Sequence, residues 1–253
     1  MGWSLHHPHG LVYHAPQYCH RGYTLFANLR GFDANLIDME GRICHRWHWP
    51  GGINYANLLP NGNLLFMSLA PDEKLPMTGI GGHTGGLVEL DWDGNPVWEL
   101  ENPWMHHDFQ RLDNGNTLAL VWEEMSSDMT FRVKGGFATA EDPVQMLGDV
   151  VREFTPSGEV VHEWKSWEHL DFDADVICPL EGRREWTHGN SINVTADGDY
   201  LVSFRQTSTV GIVDRESGRF TWKWGPGEVS HQHNPSFLDN GRVLLFDNGS
   251  HRR

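Results

Sequence analysis

One unit recurs through this chain and restricts it to a small set of folds: an apolar run, a turn closed by glycine, and a second apolar run. Its copies are NLLPNGNLLF (57–66), QRLDNGNTLAL (110–120), NVTADGDYLVSF (193–204) and SFLDNGRVLLF (236–246). Asp-Gly or Asn-Gly between two apolar runs is the strongest short-range sign of a β-hairpin. A second unit interleaves with the first and runs from an acidic residue through a turn glycine to apolar residues and tryptophan. Its copies are LIDMEGRICHRWHW (36–49), VELDWDGNPVWEL (88–100), VREFTPSGEVVHEW (151–164) and GIVDRESGRFTWKW (211–224). The turn glycines of this unit, Gly41, Gly94, Gly158 and Gly218, are spaced by 53, 64 and 60 residues.

Hairpin followed by hairpin at that period makes one four-stranded antiparallel sheet per repeat. Sheets of this kind arranged radially form a β-propeller, which protects most strand edges. The expected fold class is therefore all-β, a β-propeller, with Trp98, Trp164 and Trp222 packed between blades. Residues 22–49 supply part of a first blade, 53–100 a second, 105–164 a third and 187–224 a fourth. The fifth begins at His233 and ends after one hairpin. About four and a half blades in one domain spanning 1–253 are expected, with the remaining blades on a second chain or an oligomeric partner. The stretches 68–85, 124–147 and 165–186 are irregular, and the last has room for a short helix.

Composition narrows the partners. The formal charge of −15 over 253 residues argues against nucleic acid and anionic membranes, which reward clustered Lys and Arg. Three widely spaced cysteines, Cys19, Cys44 and Cys178, indicate no disulfide framework. No apolar run is long enough to span a membrane, and the opening MGWSLHHPHG does not read as a leader, so a cytoplasmic protein is expected.

The sixteen histidines are placed unevenly. Counting back eight residues from the first-unit glycines lands on Asn54, His107 and His233, while His188 lies ten before Gly198. In a propeller the corresponding strand is the innermost, so these side chains are expected at one end of the central channel, with Asn190 and Arg205 beside them. A further set, His6, His7, His9, His14, Cys19 and His20 with Cys44, His45 and His48, raises the prospect of a transition-metal site.

HHD (106–108), HGNSI (188–192), SFRQTS (203–208) and QHNPSFLDNGRVLLFDNG (232–249) resemble the arylsulfotransferase family. The opening HPHGLVYHAPQYCHRGYTLFANL with NLIDMEGRICHRW is similar to the start of bacterial members of its second branch. The resemblance implies a six-bladed propeller when complete, and transfer of a sulfuryl group from one phenol ester to another phenol with no nucleotide donor and no required cofactor. It places the nucleophile on His233, the H-x-N pair on His188 and Asn190, the channel arginine on Arg205, and a further histidine on His107, with His106 as the alternative and as a substrate contact. The residue chemistry is compatible. An imidazole nitrogen can take up the sulfuryl group and divide the transfer into two steps, a guanidinium suits the sulfuryl oxygens, and His107 can serve as base or acid toward a phenol. Two further readings use the same residues: a metal-dependent hydrolase or lyase with the ion held by His107, His188 and His233, and a non-catalytic interaction platform. His83 and His251 carry no role, and Cys44 and Cys178 read as strand or loop fillers and not as catalytic thiols.

Overall fold

The structure is a computed structural model that describes residues 11–69, 79–139 and 145–252; His6, His7 and His9 lie outside them. The chain divides into two compact units, Met1–Lys74 with Thr84–Asn102, and Leu75–His83 with Pro103–Arg253.

The first unit is one antiparallel sheet in the order of the chain: β1 (Thr24–Ala27), β2 (Gly31–Ile37), β3 (Ile43–Leu58), β4 (Leu64–Ser68), β5 (Gly86–Leu90) and β6 (Pro96–Glu101). The sequence placed a break between residues 49 and 53, but β3 runs through it. Its early residues pair with β2, its late ones pair with β4, and Pro50-Gly51-Gly52 lies at the changeover. Ala34, Trp47, Ile53, Leu64, Phe66, Val88 and Leu90 form the core of this unit.

The second unit begins with β7 (Met105–Arg111) and β8 (Thr117–Glu124), followed by the short helix α1 (Ser127–Arg132) and β9 (Gly135–Phe137). β10 (Leu147–Phe154) and β11 (Val160–Lys165) complete a four-stranded sheet of order β11-β10-β8-β7. Helix α2 (Ser166–His169) and β12 (Ile177–Gly182) lead to a second four-stranded sheet: β13 (Gly189–Val194), β14 (Tyr200–Phe204), β15 (Thr209–Val213) and β16 (Phe220–Trp224). A hairpin of β17 (His233–Phe237) and β18 (Val243–Phe246) follows. The core here joins Leu118, Val150, Trp164, Trp186, Val202 and Phe204. Among the described residues no helix is long and apolar enough to cross a membrane.

The glycine turns have one construction. Gly62, Gly115, Gly198 and Gly241 all have φ between 76° and 92°, and each donates its N–H to the carbonyl three residues back. The residue before each glycine is not left-handed, so these are type I turns closed by a left-handed glycine, and not the two-residue type I′ turn that Asn-Gly often makes. Only the glycine position demands positive φ, which is why Asn, Asp and Pro vary freely around it.

The tryptophans divide. Trp164 is buried and its indole N–H donates to the Gly218 carbonyl at 2.9 Å; in the first unit Trp47 does the same to Asp91 at 3.0 Å. Each therefore locks an outer strand to the second-unit turn of the following repeat. Trp98 is half-buried, whereas Trp222, expected to pack alike, is 39% exposed and stacks on Trp224.

Both long insertions of the second unit are structured. Ser126 caps α1 by accepting from the Met129 N–H. β9 and β12 pair in parallel, and Arg183 donates to the Gly135 and Val133 carbonyls. A parallel pair across this separation in sequence has no local signature.

β13 lies against β7 on one side and β17 on the other. These inner strands are joined by side chains and not by a backbone ladder: Asp108 Oδ2 accepts from Ile192 N, Gln110 Oε1 from Val194 N, Asn190 Nδ2 donates to Gln232 O, and Asn193 Nδ2 to Pro235 O.

Candidate functional site

His106, His107, His188, Asn190, Arg205 and His233 belong to the second unit, all but Arg205 at or near the first residues of the inner strands, whereas Asn54, reached by the same count, lies in β3 of the first unit. The backbone there is unusual. Of the seven described non-glycine residues with positive φ, four are histidines: His107, His188, His231 and His251. Left-handed backbone at a non-glycine residue costs on the order of 1–3 kcal/mol and gathers at functional sites. Register shifts accompany it at the starts of β7, β13 and β17.

His107 and His188 meet edge to face, with ring centroids 4.5 Å apart. Behind His107, His106 is fully buried and stacks on Trp122 at 4.2 Å. Its Nδ1 lies 2.9 Å from His107 Nδ1, and its Nε2 lies 3.2 Å from Asp149 Oδ1. Thr187 and the Gly189 N–H donate to the other Asp149 oxygen. An acidic oxygen on Nε2 leaves His106 Nδ1 as acceptor, so His107 donates through Nδ1 and keeps the lone pair of Nε2. His106 thus supports His107 from within the core and does not face a ligand. Gly82 closes over the same ring: its carbonyl accepts from the His107 N–H, and a Cβ built on it would fall 2.0 Å from His107 Cε1.

The charges are divided among the rings. Burial, reinforced by His188, His106, His233 and Arg205, holds the His107 pKa well below the usual imidazole range. Burial also acts to lower that of His188, but the Glu185 carboxylate, with Oε1 at 2.5 Å from Nδ1, and Asp149 reverse the balance, so His188 is raised. Burial pushes the Asp149 carboxyl up, yet its bonds from His106, Thr187 and Gly189 bring it net below the usual carboxylate value. The two neighbouring rings are therefore pushed in opposite directions, His107 toward its neutral form and His188 toward its charged form.

His233 lies at the start of β17 with Nδ1 3.0 Å from the His231 carbonyl and 2.9 Å from Asn248 Oδ1. A carbonyl oxygen can only accept, so Nδ1 carries the proton and Nε2 the lone pair. Burial lowers the His233 pKa despite those two contacts, with His188 and Arg205 adding to the effect. Asn190 is buried and uses its amide N–H on Gln232 O, while its Oδ1 makes no hydrogen bond; it braces the residue before His233.

Arg205 opens the turn between β14 and β15, where its N–H donates to the His188 carbonyl. Its guanidinium pairs with Glu181 at 2.8 Å. Arg205, Glu181, Glu185 and His188 line a cavity of about 630 Å³ that Gly81 and Phe137 help to wall. The insertion carrying β12 thus forms a face of the site.

Several of these groups escaped the sequence reading. Asp149 and Glu181 lie in a strand and an insertion away from the histidine motifs, and Glu185, three residues before His188, was passed over at the end of an irregular stretch. His231 is fully buried, and its burial, with Arg205, lowers its pKa to about 4. It lies ten residues before Gly241, the position that His188 holds before Gly198, so the repeat register itself contained the signal. The N-terminal set behaves otherwise: His45 stacks on Trp92 at 4.0 Å, His48 pairs with Asp33 at 2.8 Å, and Cys44 contacts the Arg42 carbonyl. Among the described residues, the group whose ligand atoms converge is Cys178, His231 and His251.

Comparison with known proteins agrees with this architecture. The family described as arylsulfotransferase (ASST) matches residues 32–230. No curated protein matches the chain. Among solved structures, a protein of unknown function from Bacteroides caccae is 17% identical with a TM-score of 0.53, over 88% of this chain and 64% of that one. A streptogramin B lyase is 12% identical with a TM-score of 0.50, over 92% and 60%. The Kuenenia stuttgartiensis hydrazine synthase is 10% identical with a TM-score of 0.54, over 89% and 68%. The fold class is that of the β-propeller. This chain spans less than two thirds of the length of the first two of these structures.

Proposed function

Because the chain belongs to the arylsulfotransferase family, we propose that it moves a sulfuryl group between phenolic oxygens by way of His233. Family membership supports arylsulfotransferase-type chemistry in general. The observation that carries the specific reading is the tether on His233: with Nδ1 held as a donor, Nε2 is the nitrogen left to attack.

In the first half-reaction Nε2 of His233 attacks sulfur, the N–S bond forms and the S–O bond to the aryl group breaks. The leaving phenolate takes a proton from His188, whose charged form the Glu185 carboxylate favours. Arg205 exchanges Glu181 for the sulfuryl oxygens, on which charge spreads in the transition state. In the second half-reaction an acceptor phenol gives its proton to the now neutral His188 and takes the sulfuryl group from His233. His107 stays neutral and packs edge to face on His188, holding that ring toward the phenol oxygen, with His106 and Asp149 behind it. Asn190 acts as a positioning residue for β17. The substrates are small aromatic alcohols and their sulfate esters, and no step calls for a metal or nucleotide.

Mixing the protein with excess 4-nitrophenyl sulfate tests this. The expected result is a stoichiometric burst of nitrophenol and a gain of one SO₃ group, about 80 Da, on the peptide carrying His233. Both vanish in His233→Ala. A steady release without burst or adduct rejects the covalent route.

A further inference from the structure

We propose that Cys178, His231 and His251 form a binding site for Zn²⁺ beside the sulfuryl-transfer residues. Ligand atoms about 2.0–2.3 Å from a tetrahedral zinc ion stand roughly 3.3–3.8 Å from one another. Cys178 Sγ lies 3.3 Å from His251 Nδ1, and the ligand atoms of Cys178, His231 and His251 all fall within 4.8 Å of one another. Glu181 Oε1, paired with Arg205, is 3.5 Å from His231 Nδ1 and 3.9 Å from His251 Nδ1 and borders the group without belonging to it. One thiolate and two imidazoles, with water in the fourth position, are a donor set that zinc accepts.

A second observation points the same way. His231 is 1% exposed, yet neither ring nitrogen has a hydrogen-bond partner among the described residues. A buried imidazole in that state costs free energy that coordination removes. The ring is fixed in place by left-handed backbone, by the bond from the His231 backbone N–H to Ser208 Oγ, and by edge-to-face contact with His251 at 4.7 Å. His251, partly exposed, is the side from which the ion enters.

The elements explain the convergence. β12 presents Cys178, the segment before β17 presents His231, and the turn after β18 presents His251. The ion ties three segments of low regularity together and fixes the peptide whose carbonyl holds His233 Nδ1. Coordination releases the Cys178 thiol proton to solvent and involves no redox change.

The test uses the full chain stripped with chelator and titrated with Co²⁺, then Zn²⁺. The expected result is one Co²⁺ per chain with the intense visible bands of tetrahedral cobalt and a thiolate charge-transfer band, all displaced by Zn²⁺. Cys178→Ser abolishes the charge-transfer band, and His251→Gln weakens binding about tenfold or more. A His6→Ala, His7→Ala, His9→Ala variant binds as the parent does. Zn²⁺ raises the Tm of the parent and not that of Cys178→Ser, while the metal-free forms melt alike. Absence of the thiolate band, parent-like binding by Cys178→Ser, or loss of binding in the triple variant overturns the proposal.

Discussion

At the scale of single residues, the site depends on which proton each ring holds. His188 donates to the leaving phenolate, so the donor half-reaction requires its charged form. Its pKa is raised, so the alkaline fall in rate comes at a higher pH than an ordinary imidazole would give. Replacing Glu185 by Gln removes the group that raises it, and the alkaline fall moves to lower pH in a kcat/KM profile. An unmoved profile takes the proton-donor role away from His188. Arg205→Lys keeps the charge but loses the planar fork. The loss of one charge-assisted hydrogen bond is worth about 1.5–3 kcal/mol, so kcat/KM for the sulfate ester drops roughly 10- to 100-fold. The acceptor half-reaction, which starts from the same sulfurylated histidine, shows a drop of similar size in single-turnover measurements.

At the scale of elements, Gly82 governs how closely its loop approaches His107. Any side chain there meets the imidazole and must adopt φ of 86°. Gly82→Ala therefore displaces either the ring or the loop, and we expect a large fall in turnover with a small change in Tm, read by kinetics beside thermal unfolding. Elements also show how far the sequence could be read. The hairpins of the first repeated motif were legible because one backbone requirement, a left-handed glycine, recurs in each of them. His107 and His233 were found eight residues before that glycine, and His188 with a two-residue offset. Arg205, placed next to the hairpin rather than by counting, does lie beside His188 through a backbone bond. The supporting acids were not legible. Asp149 faces the site from a strand that also carries Arg152 and Glu153, so nothing in its pattern sets it apart; Glu181 is brought in by β9–β12 pairing, which depends on contacts remote in sequence, and Glu185 reaches His188 across three residues in a stretch with no repeat pattern. The continuity of β3 was missed because Pro-Gly-Gly ordinarily ends a strand, whereas here it marks only a change of partner.

At the scale of the whole molecule, charge and pH act on every element together. A sulfate ester approaches a chain of formal charge −15, so long-range repulsion opposes the donor and not a neutral phenol. Raising ionic strength from low values should increase kcat/KM for the donor and leave that for the acceptor unchanged, which a chloride series measures in the two half-reactions. Folding stability has its own pH term at Asp108. Burial raises its pKa to about 7 against backbone donors from Ile192 and Phe109. A carboxyl raised on folding stabilises fully below its unfolded value near 3.8 and loses that contribution as pH rises through 7. Urea unfolding between pH 5 and pH 8 should show declining stability, flattened in Asp108→Asn. Asp108 also belongs to the row of side chains that joins β7 to β13. A seam of that kind has no ladder to share load, so its bonds fail one at a time. Under a pulling force or in deuterated solvent, the second unit should come apart between its sheets before any sheet unravels, with the Ile192 and Val194 amides exchanging ahead of those inside β14.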